Sequence, residues 1–137
     1  ARDGNERQKE NAAGALWSLA INDDNSVAIA AAGGVEVLIA LARDGNEGQK
    51  EHAAGALWNL SANHDNSVAI AAAGGIEVLV SLARDGNERQ KVRAAGVLRN
   101  LAMNDDNRVA IAAAGGVEVL VSLARDGTKG QKVRAAG

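Results

Sequence analysis

Ser61, His64 and Asp65 bring a hydroxyl, an imidazole and a carboxylate close together in the sequence, the group types of a nucleophilic triad. They cluster where a helix ends and nothing around them reads as a buried pocket, so the juxtaposition carries no catalysis. His52 and His64 are the only imidazoles and Cys is absent, so neither a ligand pair at metal-binding spacing nor a reactive thiol exists. Asn59-Leu60-Ser61 satisfies the N-glycosylation pattern, yet it lies inside a helix. Most of the Gly residues fall in Asp-Gly turns, Gly-Gly pairs and helix middles, with no Gly-x-x-x-x-Gly-Lys-Ser/Thr loop for a phosphate. The sequence thus offers no enzyme, no cofactor and no metal. What is left is recognition, and which side chains take part depends on the helix faces that the fold leaves free.

Those faces are set by a repeat. ARDGNERQKENAAGALWSLAINDDNSVAIAAAGGVEVLIAL fills 1–41, and near copies fill 42–82 and 83–123 without insertion; a broken copy, ARDGTKGQKVRAAG, fills 124–137. The period is therefore 41 residues. Each copy reads as three helices. The longest starts after Asp-Gly, with Asn5, Asn46 and Asn87 as N-caps and Gln8, Gln49 and Gln90 three positions on, the capping-box spacing. It runs through the AAGAL segment to about Asn22. A short helix starts near Asp24 and stops at Gly33-Gly34. A third, VEVLIALA, ends at the next Asp-Gly, where Gly45 is expected in the left-handed conformation. Alternation in VEVLIAL also fits a strand, but its neighbours are helical and no hairpin partner exists. Helices this short cannot bury their apolar faces alone, so copies must stack into one all-α solenoid domain over 1–137.

Composition agrees. Ala dominates, Trp17 and Trp58 are the only aromatics, and Pro, Phe and Tyr are missing, so small side chains must let helices approach closely. A net charge of −2 argues against nucleic-acid binding. No run of 18 apolar residues is present to span a membrane, and no signal-peptide pattern opens the sequence. The opening Ala is expected of a processed, excised or engineered segment.

Period and helix count resemble the armadillo repeat family along the whole sequence, most closely the repeats of plant U-box-type proteins. NERQKENAAGALWSLA resembles the family's third helix, DDNSVAIAAAGG its first and GVEVLIALARDG its second. The resemblance implies a right-handed superhelix of three-helix repeats in permuted register, in an intracellular (cytoplasmic or nuclear) protein. One departure is Glu36, Glu77 and Glu118 near the start of the second helix, where the family often has Pro. In importin-alpha and beta-catenin repeats an Asn late in the third helix holds the main chain of an extended peptide; Asn59 and Asn100 match it, and Ser18 replaces it in the first copy. An amide suits that role because it offers both a donor and an acceptor, as a peptide unit requires. The importin-type Trp four residues earlier is replaced by Gly14, Gly55 and Gly96, at a helix cost of about 1 kcal/mol each. Trp17 and Trp58 stand just before the Asn position instead, where beta-catenin-like repeats carry a ligand-contacting Arg, as Arg99 does.

With about 100° per residue, Gly55, His52 and Gly48 lie within about 40° of Asn59, with Trp58 at the edge of the stripe, whereas Ala53, Leu57 and Leu60 face elsewhere and belong to the core. Differences between copies concentrate on this stripe: Arg7/Gly48/Arg89, Asn11/His52/Arg93, Trp17/Trp58/Arg99, Ser18/Asn59/Asn100 and Ile21/Ala62/Met103. Packing positions meet the same environment in every copy and should match, whereas a surface reading a non-repetitive ligand should not. Two alternatives stay open. The Trp rings either line a groove or wedge between copies, and the mid-helix Gly either opens the groove floor or admits a close neighbour. Segment 1–41 sets three Lys/Arg against six Asp/Glu, 42–82 two against five, 83–123 six against five and 124–137 four against one. Arg89, Arg93 and Arg99, with Arg134, thus predict an extended peptide that is acidic toward this end and apolar or aromatic near Trp17 and Trp58. Neither end of the array reads as a polar cap, so Ala12, Leu16 and Leu19 are expected to be exposed. Homo-oligomerisation through the ends, or fraying of 128–137, should follow. An engineered or structural array with no evolved ligand is the alternative reading, on the near-identity of the copies.

Overall fold

The computed structural model describes residues 2–126. Nine helices and no strand occur among them: α1 (Arg2–Leu19), α2 (Asp23–Ala31), α3 (Gly34–Asp44), α4 (Glu47–Leu60), α5 (His64–Ala72), α6 (Gly75–Asp85), α7 (Glu88–Leu101), α8 (Asp105–Ala113) and α9 (Gly116–Asp126). The VEVL segments are helical. The long helices α1, α4 and α7 stack in sequence, and α3 and α6 pack against the long helix that follows each.

The helix starts follow from side-chain caps. In α4 the Asn46 Oδ1 accepts from the Gln49 N–H at 2.8 Å while Gln49 Oε1 accepts from the Asn46 N–H at 3.2 Å. Asn87 and Gln90 repeat this reciprocal pair at 2.9 and 3.0 Å. Asn5 departs from the expectation: it lies inside α1, which starts at Arg2. Among the described residues no helix precedes Gly4, so nothing forces the sharp turn that Asn46 and Asn87 cap. The long helices also stop earlier than expected, at Leu19, Leu60 and Leu101. The following Asn22, Asn63 and Asn104 are N-caps of α2, α5 and α8, each accepting from the N–H three residues on at 3.0–3.1 Å.

Between the short helix and the next one the axis turns by 84°, 87° and 85° in the three copies, so the turn forms without Pro. Gly33, Gly74 and Gly115 take φ near +83°, which L side chains adopt at a cost. The expected left-handed Gly45 is not observed. It is extended, with φ −73 and ψ 175, and its Gly is required by space: a Cβ would stand 2.5 Å from the Leu41 carbonyl oxygen and 2.8 Å from Gln49. The turn from α3 to α4 is so tight that the capping box fills the room a side chain would need.

The core runs through the stack as Leu38, Leu57, Leu60, Ile70, Leu79, Leu98 and Leu101, with Ala53 and Ala94 between helices; Ala53, Leu57 and Leu60 are buried as the periodicity predicts. The first copy presents the apolar surface that the later copies cover. Leu19 is 49% exposed where Leu60 and Leu101 are 0%, and Val37 is 54% exposed where Val78 is 9%. Ala12 is exposed as expected, but Leu16, also expected to be exposed, is half-buried because it packs against the core. Residues 128–137, whose fraying was expected, and Arg134 lie outside the described residues.

Candidate functional site

Stacking α1, α4 and α7 brings the variable stripe onto one wall, and every variable position on it is exposed or half-buried. Ile21, Met103, Arg7, Arg89, Arg99, Asn11 and Ser18 are exposed; His52, Arg93, Asn59 and Asn100 are half-buried.

The mid-helix Gly residues receive the Trp of the preceding copy. A Cβ on Gly55 would meet the Trp17 indole at 3.0 Å, and one on Gly96 would meet Trp58 at 2.2 Å. Gly14, facing no preceding Trp, would meet only the His52 ring at 3.8 Å. The Gly is thus a seat for an indole, not an open floor, and the Trp residues wedge between copies while keeping one edge toward solvent; Trp58 is 37% exposed. Around Trp17 two further groups close in. The His52 ring lies 5.6 Å from it, tilted by 32°. The Arg93 guanidinium reaches from α7 past α4 to stand 4.1 Å over the ring centroid, in cation–π geometry. Its Nη1 donates to the Glu51 carbonyl at 2.6 Å. Burial lowers the Arg93 pKa, with Glu51 opposing that shift and Arg89 adding to it. His52 Nδ1 is buried and makes no hydrogen bond.

The amide ladder partly holds the array itself. Asn59 Nδ2 donates to the Trp17 carbonyl at 3.1 Å. Asn100 Nδ2 donates instead to Ser61 Oγ at 2.9 Å, because Ser61, which stands where the other copies have Ala, donates its own hydroxyl to the Trp58 carbonyl at 2.7 Å. That commitment also removes Ser61 from any triad, since His64 and Asp65 are exposed at the start of α5. Neither Asn59 nor Asn100 uses its Oδ1 among the described residues, so an acceptor and a second N–H remain on each.

Three sets of bonds that tie the helices together escaped sequence reasoning. Gln49, buried in its capping box, turns its Nε2 toward the preceding copy, where the Glu6 carbonyl accepts at 2.9 Å and the Glu6 carboxylate at 3.1 Å. Gln90 does the same to the Glu47 carbonyl at 3.1 Å, and Asn87 Nδ2 donates to the Glu51 carboxylate at 2.7 Å. These bonds span 36 to 43 residues, and only the repeat period could have hinted at them. Arg108 also differs in kind from its counterparts Ser26 and Ser67. It donates to the Ala102 carbonyl at 2.9 Å, the bond the Ser hydroxyls make to Ala20 and Ser61, both at 2.8 Å.

Among the described residues no group of three or more His, Asp or Glu could hold a metal ion, and no helix is long and apolar enough to cross a membrane. The family model described as armadillo/beta-catenin-like repeat matches residues 22–62 and 63–103. No curated protein matches the sequence. Among solved structures, the chain is similar to an engineered protein at 36% identity, covering 90% of this chain and 51% of that one with a TM-score of 0.85. A second engineered protein is similar at 39% identity over 88% of this chain and 30% of that one, with a TM-score of 0.82. A designed armadillo repeat protein in complex with the peptide (KR)4 is similar at 25% identity, over 88% and 52%, with a TM-score of 0.81. The chain spans about half the length of the first and third of these structures and less of the second.

Proposed function

The chain belongs to the armadillo/beta-catenin-like repeat family, and from that premise we propose that it is a non-enzymatic scaffold holding an extended peptide or protein segment along α1, α4 and α7. The observation that carries this reading is the coincidence of sequence variation with exposure. Five of the positions at which the copies differ line one stacked wall, exposed or half-buried in every copy, and two of the residues there, Asn59 and Asn100, keep amide groups open. A similar designed protein binds (KR)4, which supports a peptide as the class of ligand. Stacked helices stand about 10 Å apart and an extended chain rises about 3.3 Å per residue, so each copy addresses two or three ligand residues. Arg89 and Arg99 are exposed toward the C-terminal side and suit an acidic stretch of ligand there.

The test is a display library of random peptides screened against the chain and against Asn59→Ser with Asn100→Ser, the residue of the first copy. Enriched peptides that lose binding to the double variant, measured where both proteins are folded, bear the reading out. Equal binding to both refutes it. Each substitution also removes an inter-copy hydrogen bond, so the melt should fall by about 1 kcal/mol per site.

A second reading has its own support. The copies are nearly identical, and several structural neighbours are engineered or designed proteins. An engineered-like array without an evolved ligand would yield no enriched motif, and would self-associate through exposed end surface such as Leu19 and Val37.

A further inference from the structure

We propose that the groove between α1 and α3 docks α9 of a second copy of this chain, in the register that joins one repeat to the next within a molecule. The proposal rests on the end surface invoked in the second reading above and names what covers it; it does not depend on whether the wall takes a peptide. The groove is a cleft of about 450 Å³ whose lining includes Ala12, Ala13, Leu16, Val37 and Leu41. One repeat on, the same positions are Ala53, Ala54, Leu57, Val78 and Leu82, none more than 9% exposed, where the preceding α3 packs against α4 and α6. On that α3, Val35, Ile39 and Ala42 are buried, and the Ile39 side chain reaches the next copy at Gly75, where a Cβ would stand 3.2 Å from its Cδ1. Their counterparts on α9 are bare: Val117 and Val121 are each 52% exposed, and Ala124 is exposed.

The molecule thus carries both halves of its internal interface uncovered, one on α1 and α3 and the other on α9. They fit because they consist of the residue types that already meet inside the stack. In the docked register Val121 of one molecule sits on Gly34 of the next, as Ile39 sits on Gly75; Gly34 is half-buried where Gly75 is buried. Charge sets the polarity. Residues 1–41 carry three more acidic than basic side chains and 124–137 three more basic than acidic, so unlike ends attract and like ends repel. The contact is heterologous, so each joined molecule presents a fresh groove and a fresh α9, and growth does not stop at two.

The test is sedimentation of the full chain, of Val37→Asp, of Val121→Asp and of the two variants mixed, each first checked for the parent's circular dichroism. The parent's mean mass should climb past twice the monomer value as concentration rises. A carboxylate on either face should cut the association constant by at least about 10-fold, because an unpaired charge resists burial there. Each variant keeps one working face, so their equimolar mixture should form a complex of two chains and stop there. Val121→Ile restores the δ-methyl that Ile39 sets against Gly75 and should tighten association by about 4-fold, the effect of one buried methylene; it also keeps the test open should a carboxylate disturb α9. A parent that stays monomeric at every concentration overturns the proposal. So does Val121→Asp that associates like the parent, a mixture no larger than its components, or Val121→Ile that gains nothing. Each of these leaves the peptide-scaffold reading standing, and failure of the random-peptide screen removes that reading separately.

Discussion

Substituting Ala for the mid-helix Gly should have opposite effects in different copies, although the local sequences are nearly the same. In a helix interior Gly→Ala is worth about 1 kcal/mol of stabilisation when the new methyl has room. At Gly14 it has room, since the nearest group is the His52 ring at 3.8 Å, and Gly14→Ala should raise stability by about that amount. At Gly55 the Trp17 ring stands at 3.0–3.1 Å and must yield by a few tenths of an ångström while Arg93 holds its face, so gain and cost nearly cancel. At Gly96 the Cβ would lie 2.2 Å from Trp58, and the indole must move by about 1 Å to regain normal contact. Overpacking of that size costs about 1–3 kcal/mol. The helix gain is common to both sites, so Gly96→Ala should sit about 1–3 kcal/mol below Gly14→Ala in urea melts with unchanged slope. With Trp58→Ala in the background the penalty at Gly96 should vanish, leaving a coupling energy of about 2 kcal/mol in the double-mutant cycle. Three equal shifts, or a Gly96 penalty that survives loss of Trp58, would refute the assignment of this Gly as an indole seat.

Gln90→Glu should keep the capping acceptor but set a carboxylate against the Glu47 carbonyl, lowering stability by about 2–3 kcal/mol in denaturant melts, whereas exposed Gln8→Glu should change it little. Ser67→Ala should cost about 1–2 kcal/mol because the buried Ser61 carbonyl loses its donor, and Arg108→Ala should cost less at its exposed site; the same melts check both. Light scattering of this polypeptide should show mass rising with concentration, and Val37→Asp should reduce the rise; a strict monomer throughout would rule out association at that face.

Much of this was legible in the sequence. The 41-residue period, three helices per copy, the Gly-Gly stops and the Asn-Gln caps of α4 and α7 each follow from local rules about dihedrals and unpaired N–H groups. What was not legible belongs to the offset between copies. Hydrogen bonds across the stack join residues 36 to 43 apart, not 41 alone, and Arg93 lies 76 residues from Trp17, so a wheel drawn on one helix could not tell that Gly55 faces Trp17 or that Arg93 reaches over it. Gly45 was misread for a related reason: Asp-Gly suggests a left-handed turn, but the constraint there is the bulk of Gln49, which only the folded turn brings near. Asn5 shares its neighbours' local sequence and lacks their cap because no described helix precedes it.

The bonds that join successive copies end largely on main-chain carbonyls: those of Glu6, Trp17, Glu47 and Glu51 accept from Gln49, Asn59, Gln90 and Arg93. A carbonyl is present whatever side chain its residue carries. Units of this kind are therefore interchangeable modules: one can be shuffled, duplicated or given a new outer face, and the unit after it still finds the oxygens it docks on.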